Sequence, residues 1–202
     1  MSLFKKIFGL KSKRDSTDGK PVERGKYMPE IKLPVDEKFT INFKKNGGKF
    51  IYCDSIDEIL ESFDLILSEN SWKNTKLYCT DKELQQKFKD FKIKFSKSSK
   101  DASAFLTSCE NLVADVGGVL ISSNQIGEFK LHDLPDNFIV FAATSQLVDT
   151  IGEGLRKIKN RNKSKIPTNI TTIKHFNIKE EKDFLSYGSS SKNLYLLLLE
   201  DL

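Results

Sequence analysis

Apolar residues along this chain switch repeatedly between two spacings, and each spacing names an element. Ile56, Ile59, Leu60, Phe63, Ile66 and Leu67 keep the three- and four-residue intervals of one helix face. Ser55 precedes them with Glu58 three residues on, the signature of a capping box. Thr80 and Glu83 repeat that signature ahead of Leu84, Phe88 and Phe91, which predicts a second helix. Residues 36–46 carry Phe39 and Phe43 and run into Gly47-Gly48, a helix with a glycine C-cap, although the alternation of Phe39, Ile41 and Phe43 leaves a strand open. Short apolar runs at 49–53, 76–79, 93–95, 138–142 and 195–199 read as strands. Residues 102–111 are expected to be helical, as are residues from Ser145 to about 159. Strand and helix thus alternate to the end of the chain, which predicts an α/β fold: an open, mostly parallel sheet with helices on both faces.

With 202 residues, 38% of them hydrophobic, the chain can bury one sizeable core. Its longest apolar run, Leu194 to Leu199, suits a buried strand and falls far short of the roughly 20 residues of a membrane span. Location changes the meaning of the net charge of +5. Residues 1–26 hold eight Lys or Arg against three acids and form a basic arm and linker, whereas residues 27–202 form a domain with 25 bases and 25 acids. A neutral domain with few arginines argues against nucleic acid as a partner. In the arm, Leu3, Phe4, Ile7 and Phe8 would share one helical face opposite lysines, which suits either weak contact with anionic lipid or docking on the domain.

Cys53, Cys79 and Cys109 are odd in number and widely spaced, which excludes a disulfide framework and a zinc or iron–sulfur ligand set. Reduced thiols and no secretory signal point to the cytoplasm. No P-loop, G-x-G-x-x-G or H-E-x-x-H is present, and His132 and His175 lack triad context.

The segment Phe105-Leu106-Thr107-x-Cys109-x-Asn111 through Ala114-Asp115-Val116-Gly117-Gly118 to Ser122-Ser123 resembles the central motif of the LUD-domain family, the LutC/YkgG group of lactate-utilisation proteins. Residues 138–155 resemble that family's next unit and residues 194–201 its closing strand, so the likeness covers roughly residues 35–202. The resemblance implies a fold like the sugar-phosphate isomerase and CoA-transferase group. It also implies an accessory role in oxidising lactate to pyruvate, with iron–sulfur clusters in partner proteins and no redox cofactor in this chain. Two family motifs are missing. Near Asn169–His175 the Gly-Pro-Ser-x-Thr-Ala-Asp-Ile-Glu stretch is absent, and Gly188-Ser189-Ser190-Ser191 stands where Gly-x-His-Gly-Pro is usual. Those departures leave a second reading open, a non-catalytic small-anion-binding or regulatory module that kept the fold. No catalytic constellation is identified.

Asp115 ahead of Gly117-Gly118 leads the candidate ligand residues. Consecutive glycines let a backbone turn at positive φ and aim N–H groups at an organic acid or phosphate, while Asp115 would orient a hydroxyl. A tight turn with Asp115 on local N–H groups uses the same residues. Ser122, Ser123 and Asn124 follow a strand, where open α/β sheets hold ligands. Thr144 and Ser145 follow the next strand, with Ser145 as N-cap or as part of an anion site. Gly188 and Ser189 form a third wall or a polar turn.

Overall fold

Strands buried on both faces organise the molecule. The computed structural model describes residues 33–176 and 192–202, so the basic arm and Gly188–Ser189 lie outside the described residues. Pro34–Leu202 forms a compact unit. Its strands are β1 (Lys49–Cys53), β2 (Lys76–Tyr78), β3 (Lys94–Ser96), β4 (Ala104–Thr107), β5 (Asn111–Val113), β6 (Gly118–Ile121), β7 (Asn137–Ala143), β8 (Leu147–Val148), β9 (Thr171–Ile173) and β10 (Asn193–Leu199). The helices are α1 (Val35–Lys45), α2 (Ile56–Glu69), α3 (Lys82–Lys87), α4 (Ser123–Ile126) and α5 (Ile151–Arg161).

Six strands form an open sheet in the order β1, β10, β7, β4, β2, β3, with every neighbouring pair parallel. Its central strands have no polar face: Leu194 to Leu198 and Phe138 to Val140 are buried without a break, as a sheet covered on both sides requires. On one face, Ile59, Phe63, Ile66 and Leu67 of α2 pack with Leu84 of α3 over Leu77, Leu106, Ile139 and Leu197. Phe50, pointing the opposite way from Ile51, meets Phe43 of α1 edge-on, and Phe43 also touches Phe176. Helices therefore lie on both faces, and the fold is α/β.

Capping explains the helix ends. Ser55 Oγ accepts from the Glu58 N–H, and Glu58 reaches back to the Asp54 N–H. At the end of α1, Gly47 takes φ +84°, the Gly48 N–H bonds the Phe43 carbonyl and the Gly47 N–H bonds that of Lys44, a Schellman motif.

Three expectations need correction. Ala104–Thr107 is a strand, not part of a helix at 102–111; an apolar run buried on both faces carries no period that distinguishes the two. Asp81, not Thr80, caps α3, its Oδ1 accepting from the Glu83 and Leu84 N–H groups, and Thr80 is left to donate to the Gln125 carbonyl. Finally, no helix begins at Ser145. A 3-10 turn and β8 come first, and Thr150 caps α5 by accepting from the Glu153 N–H, while Glu153 Oε2 accepts from the Asp149 N–H.

A second sheet, ordered β8, β5, β6, β9, was not expected at all. β5 and β6 form an antiparallel hairpin, and β8 joins β5 in parallel. Its strands have two to four residues, too few to show a period.

Candidate functional site

The two sheets meet at the C-terminal edge of the parallel one. There β4 continues through Ser108, Cys109 and Glu110 into β5, and β7 continues through residues 144–146 into β8. Neighbouring strands β2 and β4 depart in opposite directions: β2 leads through α3 to the outer strand β3, and β4 leads through the second sheet to β7. Such a switch point is where open α/β sheets hold ligands.

Glu110 stands at this junction and is only 5% exposed. Its Oε1 accepts from Ser122 Oγ at 2.7 Å, Asn124 Nδ2 at 2.8 Å and Gln125 Nε2 at 3.4 Å. Gln125 also caps the Ser122 N–H, closing α4 onto the cluster, and the Thr80 bond to the Gln125 carbonyl ties in the loop after β2. Ser122 and Asn124 are thus brought together. Ser123 turns away and exchanges two bonds with Thr168.

The main-chain oxygen of Glu110 accepts from Arg161 Nη2, which also donates to Asn111 Oδ1. Asn111 donates to the Gln146 carbonyl, and Gln146 Nε2 to the Cys109 carbonyl. A cleft of about 370 Å³ opens along this chain of bonds, lined by Asn111, Ser145, Gln146, Lys157, Asn160 and Arg161. Lys157 and Arg161, four residues apart on α5, put two cations on its wall.

Thr144 and Ser145 gather on Asp201. Its Oδ1 accepts from Thr144 Oγ1 and the Ser145 N–H, and its Oδ2 from Ser145 Oγ at 2.6 Å. Burial pushes the Asp201 pKa upward, but the bonds from Ser145 and Thr144 outweigh it and hold the carboxyl below its usual value.

Asp115, Gly117 and Gly118 lie at the other end of β6, about 13 Å from Ser122 at a strand's rise per residue. The turn they form is docked on α1: Asn42 donates to the carbonyls of Ala114 and Asp115, and Asn46 to those of Val116 and Gly117. Gly117 has φ +57°, and a methyl there would fall on the Asn42–Phe43 backbone. The N–H groups of Asp115 and Gly117 bond the carbonyls of Asp149 and Ala114. Close packing of a hairpin on a helix accounts for Gly117, while the Asp115 side chain is exposed.

The three thiols are buried, and burial raises each pKa, that of Cys79 to about 12. Among the described residues no group of His, Cys, Asp and Glu suits a metal ion, and no helix is long and apolar enough to cross a membrane.

Glu110, Gln146 and Asp201 were not singled out from the sequence. One signal existed: Glu110-Asn111 interrupts an apolar stretch between Phe105-Leu106 and Leu112-Val113-Ala114, and a charge inside such a stretch needs partners. Asp201 carries no comparable mark.

An open parallel sheet with helices on both faces and a polar junction at its C-terminal edge defines an α/β protein. The LUD domain family model matches residues 37–198, and the chain belongs to that family. A crystal structure of a DUF162-family protein from Deinococcus radiodurans has a similar fold, with a TM-score of 0.59 and 13% identity over 83% of this chain and 96% of that one. Comparison with curated proteins gives no match.

Proposed function

We propose that this chain is an accessory subunit in the utilisation of lactate or a related organic acid, holding a small carboxylate anion while iron–sulfur partner proteins carry the redox steps to pyruvate. In this reading the chain has no redox cofactor and no turnover of its own, and it works in the cytoplasm. The observation that carries the reading is the cleft with Lys157 and Arg161 on its wall and the Asn111, Ser145 and Asn160 side chains around them. Two cations suit a single small anion: Lys157 lies 3.8 Å from Glu153 Oε1, and Arg161, whose Nη2 holds Glu110 and Asn111, has further guanidinium N–H groups for a carboxylate. Membership of the LUD-domain family supports the substrate class.

Titration calorimetry with L-lactate and with propionate tests the anion site. Both acids should bind the wild type, and Lys157→Glu should weaken both about tenfold or more, the scale of one charge-assisted hydrogen bond. Unchanged binding in Lys157→Glu would remove the cleft from the account. Binding without any growth phenotype on lactate would favour the regulatory module instead.

A further inference from the structure

We propose that the outer face of α5 is a docking surface for α2 of a second copy of this chain. Charge in the domain is sorted by helix. Residues 27–202 balance 25 bases against 25 acids, yet residues 151–165 hold six Lys or Arg and one acid, whereas residues 54–69 hold six Asp or Glu and no base. Helices gain from opposite charges three or four positions apart, and like charges at those intervals repel. Arg156 and Lys159 stand at such an interval on α5, with Lys163 four positions further on, just past its end. On α2, Asp57 and Glu58 stand four and three positions before Glu61. All six side chains are exposed. Glu153, the one acid of the basic stretch, lies 3.8 Å from Lys157. Each helix therefore carries a repulsion that opposite charge brought from outside relieves.

Each face also has an apolar centre. Leu65 is 66% exposed on α2, one turn from both Glu61 and Glu69, and Leu155 is 42% exposed on α5, beside Arg156 and one turn before Lys159. The core takes Ile59, Phe63, Ile66 and Leu67 from α2 and Ile158 from α5, on the opposite sides of these helices. A leucine flanked by charge of a single sign has the layout of a small interface, apolar at the centre and polar at the rim. Two such surfaces of opposite sign fit each other. An anionic lipid surface would satisfy α5 and leave the acidic face of α2 unanswered, whereas a second copy answers both with one contact.

Sedimentation velocity of the full chain, run over a range of protein concentrations, tests the assignment. Between about 0.01 M and about 1 M salt the screening length falls from about 30 Å to about 3 Å, so a species heavier than the monomer should form at low salt and vanish at high salt. Arg156→Glu with Lys159→Glu should weaken the association about tenfold or more, although it lowers the net positive charge and with it the general repulsion between copies. Glu61→Lys with Glu69→Lys should weaken it likewise. An equal mixture of the two variants should associate again, because the acidic α2 of the first meets the basic α5 of the second, and a misfolded variant could not produce that result. Lys157, Asn160 and Arg161 of the cleft are unchanged throughout. A wild type that stays monomeric at every salt concentration overturns the proposal, and binding of that monomer to phosphatidylglycerol vesicles would make α5 a lipid-facing surface instead. Association that salt leaves unchanged, that survives reversal of α5, or that the mixture fails to restore overturns it as well.

Discussion

The six-stranded and four-stranded sheets share a boundary but are held by different means. In the parallel sheet, β10 and β7 pair over seven residues and bury apolar side chains on both faces, with polar groups left to the strand ends. In the small sheet, strands of two to four residues are held in part by side-chain hydrogen bonds: the amides of Asn42 and Asn46 on the hairpin turn, that of Gln146 on Cys109 and the Arg161 guanidinium on Glu110. The first rests on burial alone; the second adds hydrogen-bond geometry to a small core of Val113, Leu120, Val148 and Ile158. Polar groups collect where they meet, because a strand leaving a buried sheet must satisfy its polar groups there.

That contrast is open to attack, beginning where the effect is largest. Phe63 is fully buried under the parallel sheet, tilted against Phe88 and edge-on to Phe91. Phe63→Ala should cost about 3–5 kcal/mol in urea unfolding. A loss below about 1 kcal/mol would show that burial is not what holds this half.

Gly117 and Gly127 supply a matched pair for the small sheet. Both have φ near +57°, but a methyl at Gly117 meets the α1 backbone while one at Gly127 meets nothing within 4 Å. Gly127, at φ +58° and ψ −131°, holds a conformation that only glycine favours, so Gly127→Ala should cost about 1–3 kcal/mol in strain alone, whereas Gly117→Ala adds the clash with α1 and should cost about 1–3 kcal/mol more. Equal melting temperatures for the two variants would contradict the docking of the turn on α1. Next comes Asn42→Ala, which removes two bonds to the turn and should cost about 1–2 kcal/mol. Hydrogen exchange should then quicken in β5 and β6 and stay unchanged in β10.

Asp201 gives the smallest effect. Its folded pKa lies below its ordinary value of 3.8, so its contribution is present in full above about pH 5 and is lost as pH falls through and below 4. Asp201→Asn should therefore lower the melting temperature slightly at neutral pH and converge with wild type in acid. Parallel melting curves at every pH would show that Asp201 does not secure the end of β7.

The same contrast explains what could be read from the chain. Long strands with apolar runs and helices with clear faces, such as α2, announce themselves through periodicity, and the α/β architecture follows from their alternation. β4 escaped because four consecutive buried residues look alike in a strand and a helix. β5, β8 and β9 escaped because two or three residues hold no period. Of the candidate site, Ser122, Asn124 and Ser145 were placed by their position after strands, and the structure sets them on Glu110 and Asp201. The carboxylates themselves were missed, since their partners lie 12 to 57 positions away and only the fold unites them.

The central claim is that the junction serves lactate utilisation, and growth on lactate as sole carbon source, with glucose as control, tests it most directly. A strain lacking this gene should fail on lactate and grow on glucose. The wild-type gene should restore growth, and a Lys157→Glu copy should not. Undiminished growth of the deletion strain on lactate, in a background without a second copy of the gene, would contradict the account.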